Sequence, residues 1–306
     1  MPEIAVKTIK CSSCGASLTG ISSWKPTVCD YCGSAVIVEL PAETASALAD
    51  RPRCVGFRID AAQAVERLKT WLKSSFWSPG DLASTARTDE QAEIYVPAWE
   101  VKVDVETAWQ GARSETRYRR VSKTRTDPQT GRTERYEEDE PYQEWYPESG
   151  VHYGSYAEMI NASGALTQEE TSALMPWDTG AEAGEEDLAA ALGRGRRMEE
   201  PSVSESEAIS RAREIIEGKE RAESYKLIDR LDSASTKFGD FVARRVILPV
   251  WVFRYRYKGK VQRAVMNGQT GELHGERPVS GLKVALAIAI PIVIIAGIII
   301  VSMLMK

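Results

Sequence analysis

The sequence predicts an α+β protein with a small cysteine-rich module at its N-terminal end and one membrane-spanning helix at its C-terminal end. Three observations predict this architecture. They are two CxxCG motifs in the first 40 residues, helix-period and strand-period patterns through the middle, and an uncharged apolar run at the end. The chain has 306 residues, with 39 Lys and Arg against 44 Asp and Glu. This mildly acidic balance argues against a dedicated nucleic-acid-binding protein, which needs clustered cations.

The N-terminal module contains two matching cysteine pairs. The CxxCG motifs span residues 11–15 and 29–33, with 14 residues between the pairs. Such a motif is typical of a tight turn that points two thiolates to one side, and two such turns complete a tetrahedral site. Zinc is the metal that four thiolates favour, and a filled coordination shell makes the site structural. We therefore predict a zinc ribbon over residues 1–40, with redox-active CxxC pairs or incidental cysteines as the alternatives. The predicted Zn²⁺ ligands are Cys11, Cys14, Cys29 and Cys32.

The other candidate reactive groups have no motif around them. Cys54 lies outside the paired spacing and is predicted to be a buried hydrophobic side chain. Of the two histidines, His152 and His274, neither lies in a catalytic or metal-binding pattern. We therefore predict no catalytic residue and no enzymatic activity. A thiol redox enzyme, the remaining alternative, would require metal-free cysteine pairs.

Binding of nucleic acid by the ribbon is disfavoured by its charges, which cancel. Trp24 and Tyr31 have the rings needed to stack on bases, but without a positive patch such aromatic side chains more often pack within the module or on a protein partner. The cations of the module are Lys7, Lys10 and Lys25, and its anions are Glu3, Asp30 and Glu39.

The C-terminal run is long enough to cross a bilayer. From Val284 to Met305, 22 consecutive residues carry no charge. As a helix they span about 33 Å, against a hydrocarbon core of about 30 Å. Pro291 lies inside this run, where membrane helices tolerate proline. We predict one transmembrane helix over residues 282–305, and the alternative is a buried helix of a soluble core.

The cysteines predict on which side of the membrane the bulk of the chain lies. Zinc thiolates persist in a reducing compartment, which favours the cytoplasm. Arg277 and Lys283 precede the span and agree with this orientation. Residues 1–10 contain no apolar stretch of the kind found in secretory signals. These features predict a tail-anchored protein with the bulk of its chain in the cytoplasm.

A first α+β unit is predicted over residues 53–175. Residues 60–75 have the apolar spacing of an amphipathic helix, in which Asp60 caps the start and Gln63 completes a capping box. A strand pattern begins at Tyr95-Val96-Pro97-Ala98-Trp99 and continues through alternating valines.

A second α+β unit is predicted over residues 203–280. Its helix runs from Ser204 towards Leu231, and a strand begins at Leu248-Pro249-Val250-Trp251. Glycine-containing turns at 258–259 and 267–271 lead into further antiparallel strands. The two Pro-x-Trp sites and the shared alternation favour an internal duplication of a helix followed by an antiparallel sheet. A chance match is the alternative.

Two further segments have unusual composition, a charged one within the first unit and one between the two units. Residues 113–125 carry six cations, and residues 134–148, after a turn, carry seven anions. Opposite charges on neighbouring strands pair across a hairpin, so we predict self-pairing; a phosphate or anionic-lipid site on the Arg113–Arg125 strand is the alternative. Residues 176–202 are rich in Gly, Ala and Glu, and we predict a linker there.

Several motifs occur along the chain: the CxxCG pair, Trp71-Leu72, Phe76-Trp77-Ser78-Pro79, Tyr95–Trp99, Trp145–Gly150, Leu248–Trp251, Asn267–Glu272 and Gly275–Pro278. Together they resemble a bacterial family of proteins labelled TFIIB-type zinc-ribbon-containing, and often mislabelled PriA helicase-like. The resemblance implies no helicase activity. It implies that the four cysteines of the motifs bind zinc. Membrane-anchored members of the family are associated, as adaptors, with membrane-stress modules of the phage-shock-protein-A type.

The expected function is that of an adaptor at the bacterial inner membrane. A zinc ribbon and a duplicated α+β module would recruit a protein partner to a single C-terminal anchor. The resemblance implies a partner of the phage-shock-protein-A type. A membrane-tethered protein that binds nucleic acid or acts in transcription is the second expectation. It would use the ribbon and the Arg113–Arg125 strand, and its binding would weaken steeply with salt.

Overall fold

The structure is a computed structural model that describes residues 6–21, 28–34, 37–40, 53–85, 87–126, 128, 131–180, 184 and 186–304. Expectations about Trp24 and Lys25 lie outside these residues. The chain divides into two compact units, each assembled from separated segments. Unit 1 comprises Met1–Glu100, Met159–Ala208 and Arg244–Lys306, and unit 2 comprises Val101–Glu158 and Ile209–Ala243. This division differs from the predicted boundaries, because strands that pair with each other come from distant parts of the chain.

The described strands join in one mixed sheet. Their order is β11-β10-β9-β5-β7-β2-β1-β3, and β4 pairs parallel with β9, while β6 and β8 pair with β5. The strands are β1 (Val6–Cys11), β2 (Ser17–Ile21), β3 (Ile37–Leu40), β4 (Arg53–Cys54), β5 (Arg87–Thr126), β6 (Thr133–Asn161), β7 (Arg197–Glu199), β8 (Arg230–Phe238), β9 (Val242–Tyr257), β10 (Lys260–Asn267) and β11 (Leu273–Gly275).

Six helices accompany the sheet in the described part of the chain. Five of them lie wholly in unit 1, and α5 has its first turn in unit 1 and the rest in unit 2. The helices are α1 (Ala61–Ser74), α2 (Leu82–Thr85), α3 (Gln168–Ala173), α4 (Leu188–Gly193), α5 (Glu205–Tyr225) and α6 (Gly281–Leu304).

Helix α1 confirms the capping signal in the sequence. The Asp60 carboxylate accepts a hydrogen bond from the Gln63 backbone N–H at 2.9 Å, and the Gln63 side chain accepts one from the Asp60 N–H. The apolar face of the helix, including Leu68 and Leu72, packs on Trp251 and its neighbours in β9. The Trp251 indole N–H donates to the Ile59 carbonyl at 3.1 Å, which fixes the chain just before the helix.

The hairpin from β9 to β11 also follows the prediction. Lys258 and Gly259 adopt positive φ between β9 and β10, as a tight turn requires. At the next turn the Asn267 side-chain oxygen accepts from the Gln269 N–H at 2.8 Å, and Gly271 has φ of +84°. The strands β5 and β9, which contain the two Pro-x-Trp sites, are neighbours in the sheet. The internal duplication itself stays a prediction.

The structure differs from the prediction over residues 176–202. This segment is not a featureless linker, because it contains α4 and β7, and β7 lies between β5 and β2 in the sheet. Met198 pairs with Thr19 on one side and with Tyr95 on the other, and its side chain is buried. Ala191 and Leu192 of α4 pack with Tyr95 and Met198 in one buried apolar cluster.

The helix predicted to run towards Leu231 ends earlier. Helix α5 stops at Tyr225, and Leu231 belongs to β8, a strand that the sequence analysis missed. Strand β8 pairs antiparallel with β5 from Val105 to Ala112. Leu231 is buried against Trp109 and Ile228, so its apolar side chain belongs to the core of unit 2 and not to a helix face.

The charged segments form the predicted hairpin within unit 2. Basic side chains of β5 pair with acidic side chains of β6, so the self-pairing of charges is confirmed. Each exposed pair contributes little on its own, but together they match the two strands in register. The pairs are Arg113–Glu148, Arg117–Glu144, Arg119–Glu140, Arg120–Asp139 and Lys123–Glu138.

The capping box of α1 makes a local prediction. Asp60→Ala removes the side-chain acceptor at the first turn and costs about 1 kcal/mol, which corresponds to roughly fivefold faster opening there. Asp60→Asn keeps an acceptor and should exchange like the native chain. Amide hydrogen exchange over residues 61–66 measures both variants. Equal protection of all three chains would show that packing on Trp251 alone determines where α1 begins.

Candidate metal centre

Four cysteine sulfurs converge at one point of unit 1. The metal-binding atoms of Cys11, Cys14, Cys29 and Cys32 all lie within 4.8 Å of one another. The Cys11 and Cys32 sulfurs are 3.6 Å apart, and those of Cys14 and Cys29 are 3.7 Å apart. A tetrahedral zinc with Zn–S bonds of about 2.3 Å requires sulfurs about 3.8 Å apart. The four thiols therefore fit a Zn²⁺ ion with every position taken by protein.

The two halves of the cluster have the same backbone geometry. The Cys11 N–H donates to the Ala16 carbonyl at 2.8 Å and the Gly15 N–H donates to the Cys11 carbonyl at 2.9 Å. The second half repeats both bonds with the same lengths, through Cys29, Gly33 and Ser34. Gly15 and Gly33 have φ of +80° and +75°, a conformation that side-chain-bearing residues rarely adopt. This explains why a glycine follows each CxxC.

A buried arginine supports the second turn. Arg254 of β9 donates from Nη1 to the Cys29 carbonyl at 2.9 Å, and its side chain is almost fully buried. A Cβ on Gly33 would lie 2.5 Å from the same nitrogen. Gly33 therefore serves two needs, its positive φ and the close approach of Arg254. Sequence spacing alone does not reveal this arginine, which lies 225 residues from Cys29.

The cysteine turns are built into the main core of unit 1. Cys11, Cys29 and Tyr31 belong to the same apolar cluster as Leu248 and Val265 of the large sheet. Strand β2, which begins just after the first turn, pairs with β7. The predicted ribbon is therefore continuous with the α+β sheet instead of forming a separate module.

A buried carboxylate links the second turn to the rest of unit 1. The Tyr31 hydroxyl donates to Glu199 Oε2 at 3.0 Å, and the Ser163 hydroxyl donates to the same oxygen at 2.6 Å. The backbone N–H groups of Gly164 and Ala165 donate to Glu199 Oε1 at 2.6 and 3.0 Å. Burial raises the pKa of Glu199, while the hydrogen bonds from Ser163 and Tyr31 oppose that rise. We call these five residues the Glu199 network.

Other charges surround the second turn. Asp30, between Cys29 and Tyr31, forms an ion pair with Arg197 of β7. Burial raises the pKa of Asp30, and the positive charges of Arg197 and Arg254 lower it in part. The Arg263 guanidinium lies 5.5 Å from the centre of the Tyr31 ring. These cations therefore already interact with carboxylates or an aromatic ring of the protein itself.

The thiols differ in how readily they lose a proton. Burial raises the pKa of Cys14, and it raises that of Cys29 to about 11. Burial acts in the same direction on Cys11, but hydrogen bonds from the Cys14 and Ser13 backbone outweigh it and lower its pKa to about 7. Zinc binds thiolates, so metal binding at neutral pH releases protons from the buried thiols.

The remaining candidate residues lie away from this centre. Cys54 is buried with Tyr95 and Ile247 in a separate apolar cluster, as its prediction as a buried hydrophobic residue requires. His152 of unit 2 lies 2.6 Å from Glu220, and His274 is paired in β11. The sequence prediction that neither histidine is catalytic stays a prediction.

Comparison with known proteins finds no relative: no family model, no curated protein and no solved structure matches the chain. The resemblance to TFIIB-type zinc-ribbon-containing proteins therefore stays an expectation from sequence motifs. What the site does has to follow from its own residues, and these provide four converging thiols in a buried, hydrogen-bonded setting.

The cluster predicts one bound zinc per chain that depends on all four thiols. Purified in detergent, the full chain should contain stoichiometric zinc by elemental analysis. Cys32→Ser, which changes the exposed ligand, should lose its zinc to a chelator that the native chain resists. Cys54→Ser is the matched control and should keep the metal, because Cys54 lies outside the cluster. Native-like zinc retention by Cys32→Ser would contradict a four-thiolate site.

Proposed function

We propose that this protein is a tail-anchored, cytoplasmic adaptor without enzymatic activity, which holds a protein partner at the bacterial inner membrane. One observation carries the proposal: unit 1 contains both a four-thiolate cluster and a long exposed apolar helix. A metal with four protein ligands stabilises a fold but leaves no position open for a substrate. The unit then acts as a rigid platform that its own helix attaches to a bilayer.

Helix α6 supports the membrane part of the proposal. Its segment Gly281–Met303 is 23 residues long, with a mean hydropathy of 3.2 in its most apolar window, and none of that window is buried within the protein. An apolar helix of this length exposed to water would be strongly unfavourable, whereas it matches the thickness of a bilayer. The reducing conditions that keep zinc thiolates intact favour the cytoplasmic side.

Strand β6 of unit 2 offers a surface for a protein partner. From Pro147 to Ala157, exposed and half-buried residues alternate, so the odd-numbered residues share one exposed face. Trp145, Val151 and Tyr153 all have odd numbers and are exposed. Protein interfaces are enriched in such aromatic side chains, and a few of them supply most of the binding energy. We call these three residues the β6 stripe.

The pairing of charges in the hairpin favours a protein over a nucleic acid as the partner. Arg113, Arg117 and Arg119 each lie within 3.5 Å of a carboxylate on β6. A phosphate backbone would have to displace these acids, which repel it. The second candidate, a membrane-tethered nucleic-acid-binding protein, therefore has less support. From the family resemblance we further propose that the partner is of the phage-shock-protein-A type and that the protein acts in a membrane-stress response.

The anchor predicts where truncated chains are found. Removal of residues 281–306 should move the protein from the membrane to the soluble fraction after cell lysis. Ile292→Arg/Ile295→Arg should weaken insertion, since each central arginine costs about 2.5–3.5 kcal/mol. Ile292→Leu/Ile295→Leu is the matched control and should stay in the membrane fraction. Membrane sedimentation of the truncated chain would refute the anchor.

The β6 stripe predicts which variants lose the partner. Crosslinked capture from native membranes compares the full chain with Val151→Ser/Tyr153→Ser. Loss of two exposed interface residues should reduce the captured partner by about tenfold or more. Tyr136→Ser/Tyr142→Ser changes even-numbered aromatic residues of the same strand and is the matched control, with capture expected to persist. Nuclease-sensitive material in place of a protein would support the nucleic-acid reading.

A further inference from the structure

The turn that follows α1 exposes two aromatic side chains beside the base of α6. Phe76 is 74% exposed and Trp77 is 44% exposed, although both are large and apolar. Their rings contact each other edge to face, with centroids 5.3 Å apart. Val279, just before α6, and Leu282, in its first turn, are also exposed. We call these four residues the aromatic collar.

Lys283 sets the depth of this turn relative to the membrane. It is the last charged residue before the apolar run that begins at Val284. An ammonium at the end of a membrane helix stays at the level of the lipid headgroups. The Lys283 Nζ donates to the Phe76 and Ser78 carbonyls, both at 2.8 Å. The backbone of the turn therefore lies at the headgroup level wherever α6 spans a bilayer.

Further contacts hold the turn against the helix base. The Ser280 N–H donates to the Trp77 carbonyl at 2.8 Å. Arg277 donates from Nη1 to the Trp71 carbonyl at 3.1 Å and to Ser74 Oγ at 2.9 Å, and it lies 4.3 Å from the centre of the Trp71 ring. With bonds at 277, 280 and 283, the end of α1 is attached along the whole segment that leads into α6.

We propose that the aromatic collar is embedded in the interface between lipid headgroups and acyl chains, as a second membrane contact of unit 1. The occupant of this surface is lipid, because the collar is continuous with the membrane helix and shares its headgroup-level lysine. Tryptophan and other aromatic side chains prefer this interface, where the ring leaves water and its polar group stays hydrated. The inference rests on the proposed anchor.

The collar changes what the anchor does. A single helix joined to a domain by free chain would leave the domain able to turn in any direction. Here the collar and the helix contact the bilayer at two places on one rigid unit. Unit 1 is thereby held in one orientation, with the end of α1 against the lipid.

Quenching by brominated lipid tests this inference on the full chain. The protein is reconstituted into phosphatidylcholine vesicles whose acyl chains carry bromine near the headgroup, and tryptophan fluorescence is compared with that in unbrominated vesicles. Native protein should be quenched, and Trp77→Phe should lose most of that quenching. Trp145→Phe is the matched control, since Trp145 is 42% exposed but lies in unit 2. It should be quenched like the native chain.

The outcomes separate the collar from the anchor. Vesicle flotation is measured on the same samples. Flotation with equal quenching in Trp77→Phe and Trp145→Phe would overturn the collar and leave the anchor intact. Failure of the native chain to float would overturn the anchor, and the collar with it. Flotation with a selective loss of quenching in Trp77→Phe supports both.

Discussion

A buried carboxylate holds unit 1 together at the point where the cysteine turns meet the sheet. Glu199 is fully buried, and its two oxygens accept four hydrogen bonds from Tyr31 and from residues 163–165. An ionisable group in such a place is unfavourable unless its partners are all present. The carboxylate therefore requires the cysteine turn, the loop after β6 and strand β7 to be in place together.

The metal centre follows from this arrangement. In an isolated ribbon, zinc would stabilise only its own turns. Here Arg254 and Tyr31 connect the second turn to β9 and β7, and the cysteines lie in the main core. The free energy of binding a metal at these four thiols would thus contribute to the stability of the whole unit.

Local sequence signals predicted much of this fold. The capping box of α1, the turns around β10 and the opposite charges of the hairpin act between near neighbours, so their patterns are visible in the chain. The cysteine spacing predicted the four converging sulfurs for the same reason. Strand β7 could not be predicted, because three residues in a Gly- and Ala-rich segment have no periodicity. The pairing of Tyr31 with Glu199 spans 168 residues and has no local signal.

The order in which the chain is synthesised separates the cysteine turns from the residues that later pack against them. The four thiols of the cluster lie within residues 11–32, whereas Arg254, which bonds the Cys29 carbonyl, and Val265, which shares their core, are made more than 200 residues later. Contacts at such separations form slowly, and partly covered apolar surface is prone to aggregate. If zinc bound early, it would keep the two turns in their final conformation until the later residues are synthesised. The metal would then stabilise the turns during synthesis, before the rest of the core packs around them.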